Sequence, residues 1–312
     1  MSATLKNGTI WKTIDGQDIH AHGGYIIFHD GYYYWYGEDR RENWYVACYR
    51  SQNLIDWEFR NHVLTTESQT KRLRVHADLG LRRIDRDNEM RKINLERPKV
   101  LYNTHTNKFV LWAHYEDGTG YGQSRCTIAS CDTPDGDFVY HGSFQPYGYM
   151  SRDCTLFRDD DGTAYFISST RTNSDLNIYR LSEDYLNCDK LVNTIYQDEH
   201  REAPAVFKKD GMYYIVTSGC SRWDPNQGEV GFSTSMDGSF SIGKNFGDET
   251  TFRSQPAFIL PVTDGGKTRY FYFGDRWGGD GDLYFTSSYV VLEIRFADDG
   301  TPFIEYTDDF CG

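Results

Sequence analysis

Apolar and polar positions alternate along this chain in short bursts, not in helical turns. Residues 21–38, AHGGYIIFHDGYYYWYGE, show the type: two arms rich in β-branched and aromatic residues around an Asp-Gly turn. The same design returns at 96–116, 152–169, 202–219 and 254–277. Each segment predicts a β-hairpin. A weaker second hairpin follows each, at 46–61, 126–142, 176–192, 231–245 and 283–300. The unit is therefore four strands, repeated five times. No 3.6-residue apolar period supports a helical solenoid, and a two-sheet sandwich accounts poorly for five equivalent double hairpins. The pattern predicts an all-β fold, a five-bladed β-propeller with four-stranded blades, as one domain over residues 1–312. One stretch breaks the rhythm. Residues 65–94 carry Lys71, Arg72, Arg74, Arg82, Arg83, Arg86, Arg91 and Lys92. This insertion is either an exposed loop pairing with an acidic body or a lid or oligomer contact beside a site.

Radial repetition has a chemical consequence. The first strand of a propeller blade lines the axis, so equivalent starting positions converge. His22, Asp153 and Glu202 each stand nine residues before a turn glycine, at Gly31, Gly162 and Gly211. Glu96 and Gln255 open the corresponding strands of the other two units. These five side chains should surround one pocket. Carboxylates sharing a pocket push their pKa values apart, which keeps one protonated as an acid at neutral pH. Tyr121, Trp223 and Trp277 would supply an aromatic rim for a sugar ring, and carboxylates with such a rim suit glycoside cleavage. Each residue also has a plainer reading. Glu202 could ion-pair with Arg152 or Arg201, Asp153 could organise a buried pair, and Glu96 could be structural. His20 and His22 could be satisfied core histidines, and Trp223 could be core packing.

Composition narrows the field. With 33 basic against 46 acidic residues the net charge is −13, which argues against nucleic acid and against an anionic membrane surface as partners. No apolar run is long enough to span a bilayer. Residues 1–11 lack the pattern of a secretory signal, so a cytoplasmic location is expected, or a secreted one if a leader has been removed. Seven scattered cysteines suggest reduced thiols. The spacing of His20, His22 and His76 identifies no metal site, and neither His76 nor His114 is assigned an ion. No cofactor and no metal are expected, and the oligomeric state stays open.

Taken as a set, Ala21-His22-Gly23-Gly24, Glu96-Arg97-Pro98-Lys99, Ser151-Arg152-Asp153, Arg201-Glu202-Ala203-Pro204, Trp223-Asp224-Pro225-Asn226-Gln227, Ser254-Gln255-Pro256 and Gly274-Asp275-Arg276-Trp277 resemble glycoside hydrolase family 43, most nearly its exo-β-1,3-galactanase subgroup (subfamily 24). The resemblance implies an inverting exo-enzyme that releases terminal galactose from β-1,3-galactan or arabinogalactan side chains. It implies Glu202 as the acid, Asp153 as the modulator of its pKa, and Gln255 as an unusual base acting through its imidic tautomer. Glu96 is implied as a sugar ligand also considered for the base. Arg97, Glu38, Tyr121, Trp223, His22 and Trp277 are expected to bind substrate, an oligosaccharide or polysaccharide. Most of the family has Asp where this chain has His22, a departure shared with the subgroup. Arg222 departs from the subgroup's usual glycine. Two other functions remain open: a family 43 exo-glycosidase acting on galactofuranosides, α-L-arabinofuranosides or β-xylosides, and a non-catalytic carbohydrate-binding propeller.

Overall fold

The computed structural model describes residues 4–312 except Arg86 and Ile242, so Arg86 of the basic insertion lies outside the described residues. Five four-stranded antiparallel sheets follow one another along the chain, each in simple sequence order from an inner to an outer strand. Their inner strands are His22–His29, Asn94–Asn103, Cys154–Arg158, Arg201–Lys209 and Gln255–Asp264. The hairpin turns show why these segments fold back. In blades one, four and five both turn residues have positive φ: Asp30 and Gly31, Asp210 and Gly211, Gly265 and Gly266. Two-residue turns of this hand match the twist of the strands they join.

Five apolar clusters weld the blades together, one at each interface. Trp35 and Trp57 of blade one meet Phe258 and Phe273 of blade five. Tyr36 and Val46 meet Val100 and Leu111 of blade two. Trp112 and Ile128 meet Leu156 and Phe166 of blade three. Ile167 and Ile178 meet Val206 and Ile215 of blade four. Phe207 and Val216 meet Tyr272 and Val290 of blade five. Such an arrangement closes a ring and leaves the inner strands around an axis. Closure is reinforced where the chain's two ends meet: Leu5–Lys6 pairs with Asp309–Phe310. Beside that ribbon Asn7 donates to the Val291 and Thr307 carbonyls and accepts from the Val291 amide.

Two details differ from the sequence expectation. Among the described residues the insertion's arginines do not pair with acids of the body: three find acids of the insertion itself, while Arg74 and Lys92 reach backbone carbonyls of the body. Its strands Arg82–Ile84 and Met90–Lys92 form a small hairpin. Arg82 pairs with Glu67, Arg83 with Asp78 and Arg91 with Asp85. The hairpin brings those acids within reach, while backbone bonds lace the segment to the outer strand of blade two, Lys71 N to Tyr140 O at 2.8 Å and Asp78 N to Ser143 O at 2.9 Å. The second difference is in blade five, where residues 283–286 are not strand. A short 3₁₀ helix, Gly281–Thr286, occupies them, with Asp280 accepting from the Gly281 amide at its start. The third strand begins only at Ser288. This helix buries Tyr284 beneath the axial pocket.

Candidate active site

Four of the five inner strands carry a bulge at the same end. The ladder register shifts between His22 and Tyr25, Glu96 and Lys99, Glu202 and Ala205, and Pro256 and Phe258. In three of these strands the residue after the polar group is left-handed: Gly23 at φ 57°, Arg97 at 56° and Ala203 at 52°. A bulge bends its strand and re-aims the side chains beside it. The left-handed backbone costs Arg97 and Ala203 about 1–2 kcal/mol each, so the neighbouring contacts must hold them there. The result is a polar knot at one end of the axis, built from every blade. Asp153 joins it from the residue just before Cys154–Arg158.

Arg97 is the hub of that knot. Its Nε lies 3.1 Å from Asp153 Oδ2, Nη1 donates to the Pro256 carbonyl at 2.6 Å, and Nη2 donates to Gln255 Oε1. Blades two, three and five are thus joined by one guanidinium that is only 4% exposed. Gln255 is held on both sides of its amide. Oε1 accepts from Arg97 and from Trp277 Nε1 at 2.7 Å, and Nε2 donates to Ser218 Oγ at 3.0 Å and to Glu202 Oε1 at 3.1 Å. Glu202 also accepts from Asn173 Nδ2 at 2.8 Å. Neither ion-pair alternative for Glu202 holds. Arg201 turns to Thr217 and Glu229, and Arg152 to Ser124 and the Tyr121 carbonyl. Burial, followed by the charge of Asp153, pushes the Glu202 carboxyl up to about 7, against the opposing pull of Arg97 and Gln255.

Glu96 lives in the opposite environment. Its Oε1 accepts from Tyr121 Oη at 2.8 Å and Arg40 Nη2 at 3.0 Å, and Oε2 stands 3.2 Å from His114 Nδ1. Burial works against its charge, but Arg40, His114 and Tyr121 outweigh burial and hold its pKa at about 2. Burial likewise opposes protonation of His114, yet Glu116 and Glu96 on its two sides lift it to about 9. Among the described residues Glu96, His114 and Asp153 are the set whose donor atoms, within 4.8 Å of one another, could hold a metal ion. Each member already has a partner, Glu96 with Arg40 and Tyr121, His114 with Glu116 and Asp153 with Arg97, and the two guanidiniums beside the set work against a cation there.

Three of the expected substrate contacts are almost fully buried and bonded to protein groups. His22 is 1% exposed: its Nδ1 bonds Asp275 at 2.9 Å and its ring stacks on Tyr289 at 4.6 Å. Glu38 is equally buried, because Arg40, Tyr284 and the Arg97 amide take its oxygens. Arg97 spends its donors on protein groups, as described above. Tyr121, Trp223 and Trp277 do reach the opening, with Trp223 edge-on to Trp277 at 5.5 Å. Sequence reasoning gave no role to Asp275, Tyr284, Arg40 or Asn173. Asp275 had a signal: it pairs across the ladder from Gln255, as His114 does from Glu96 and Glu38 from His22.

A family profile described as "Glycosyl hydrolases family 43" matches residues 98–302. No curated protein sequence matches the chain. Among solved structures, an exo-β-1,3-galactanase from Clostridium thermocellum is 41% identical with a TM-score of 0.88, over 98% of this chain and 66% of that one. This chain therefore spans just under two thirds of that protein. A family 43 β-1,3 galactosidase with galactodeoxynojirimycin is 32% identical at a TM-score of 0.83, over 97% of this chain and 99% of that one. An exo-β-1,3-galactanase from Phanerochaete chrysosporium with β-1,3-galactotriose is 29% identical at a TM-score of 0.84, over 98% and 68%.

Proposed function

Because the chain belongs to glycosyl hydrolase family 43, we propose that it is an exo-acting, inverting hydrolase that removes terminal galactose from β-1,3-linked galactan. The observation that carries this reading is a carboxyl kept protonated near neutrality, Glu202, in the same knot as an ionised one, Glu96. The substrate follows from the relatives, which are described as β-1,3-galactanases and a β-1,3 galactosidase. Glu202 gives its proton to the glycosidic oxygen as the bond to the anomeric carbon breaks. Asp153 keeps that proton available, and Arg97 fixes Asp153 and Gln255 around it.

An inverting pair needs about 6.5–9.5 Å between its two groups, to admit water. Gln255 touches Glu202 and both lone pairs of its oxygen are engaged, so it lies beside the acid and not across from it. Glu96 comes from blade two, separated from the blade of Glu202 by blade three, and its Oε2 retains an acceptor site. Glu96 is therefore assigned as the base that orients the attacking water. Gln255 is assigned as a positioning group for Glu202. A silent binding propeller would have no need of a tuned acid.

Incubation with β-1,3-galactotriose tests the reading. Galactose should appear one unit at a time, first as the α-anomer by proton NMR. Release of internal fragments, of the β-anomer, or of nothing would overturn it. Gln255→Ala should retain measurable turnover where Glu96→Gln does not. The reverse result moves the base to Gln255.

A further inference from the structure

A pocket opens from the polar knot, lined by Ser218, Gln255 and Trp277 together with Trp223, Arg222, Arg253 and Arg276. Its lining holds three arginines against two aspartates, a local excess of positive charge in a protein with a net charge of −13. Arginines of the knot, such as Arg40 and Arg97, are paired with carboxylates. Among the described residues none of these three has a carboxylate within ion-pair distance. Two carboxylates do line the pocket. Asp275 is buried with its oxygens given to His22 and the Gly23 amide, and Asp224 lies exposed at the outer edge. Arg276 is anchored, its Nε on the Phe252 carbonyl at 3.1 Å and its cation 5.4 Å from the Tyr306 ring. Arg222 and Arg253 are exposed, and among the described residues their guanidinium forks have no partner.

The backbone adds an independent observation. Arg222 has φ 60° and Arg253 has φ 59°. Glycine would occupy either position without strain, so each arginine sits there at an energetic cost. Free arginine forks match planar oxyanions in bidentate fashion. They stand at the rim, where they would meet the part of a saccharide that stays outside the closed end of the axis.

We infer that this arginine wall binds an anionic substituent, a uronate carboxylate or a sulfate ester, on the sugar adjoining the scissile bond. The inference rests on the galactanase reading and specifies which galactans the site takes. Three trisaccharides test it: neutral β-1,3-galactotriose, and the same molecule bearing a glucuronate or a sulfate on its second galactose. At low salt a charged substrate should show a kcat/KM about tenfold above the neutral one. That ratio should shrink in about 0.5 M salt and fall towards one in Arg222→Gln/Arg253→Gln. Whether glucuronate or sulfate gives the larger ratio identifies the oxyanion. Arg222→Gly, which suits the left-handed backbone, supplies a variant whose fold is not at risk, and it should lower the ratio too. Equal kcat/KM for charged and neutral substrates overturns the inference, as does a ratio untouched by these substitutions. If the neutral trisaccharide is cleaved without charge preference, only the arginine wall fails. If calorimetry on Glu202→Gln finds no binding of any of the three, the galactanase reading fails and the inference with it.

Discussion

Glu202 and Glu96 begin as the same thing. Each is a glutamate at the start of an inner strand, each is followed by a left-handed residue, and each is aimed inward by a bulge. Their surroundings then drive them apart. Glu202 is buried beside the negative Asp153 with no cation among the described residues hydrogen-bonded to its oxygens, and it holds its proton to about pH 7. Glu96 is also buried, but Arg40 and the His114 imidazolium face it, and it is ionised at any working pH. Two copies of one structural device thus become an acid and an anion through the neighbours that other strands and loops bring to them.

Removing one member of the pair tests this contrast most severely. Glu202→Gln should lower kcat/KM on β-1,3-galactotriose by about 1,000-fold, the range of a lost general acid, with an unchanged circular-dichroism melt. Next in size is Asp153→Asn. Glu202 must be protonated to act, so activity falls as pH rises through its pKa of about 7. Without the Asp153 charge that limb should move to lower pH, by about one unit, and the rate at pH 7.5 should drop about tenfold in a stopped pH-rate series. Arg40→Met works on the other member. Glu96 loses its main stabilising charge, its pKa rises, and the acidic limb of the same profile should move up by about one unit. The mildest change is Tyr121→Phe, which removes one hydrogen bond to Glu96 and should cost about fivefold in kcat/KM. Should Asp153→Asn leave the alkaline limb in place, the contrast between the two glutamates does not arise from charge.

The ring and the meeting of Glu96, Asp153, Glu202 and Gln255 were legible because both follow from periodicity. Turn glycines mark the hairpins, and a fixed distance from the turn marks the axial end of each inner strand. What stayed hidden depends on contacts between blades. Nothing local distinguishes Arg97, a buried clamp, from an arginine that greets a sugar. His22 looked available because its register is axial, yet Tyr289 and Asp275, far along the chain, enclose it. The aromatic content misled in the same way: Trp11, Trp35, Trp57 and Trp112 are wholly buried at blade interfaces, and only a minority of the tryptophans face the pocket. Tyr284 was assigned to a strand because its neighbours are β-formers. The capped 3₁₀ turn that places it under Arg40 depends on Asp280 and the glycines around it.

Leu5–Lys6 lying against Asp309–Phe310 means that the first and last described strands are spatial neighbours. For a closed ring, the position of the break in the covalent chain is then a matter of choice. A short linker could join those strands and new termini could be opened between the paired strands Arg82–Ile84 and Met90–Lys92, leaving all five blade interfaces intact. Such a circular permutant would present its new ends beside blade two, on the side where Lys92 meets the Arg40 and Arg41 carbonyls, a ready point for grafting a second module near the pocket.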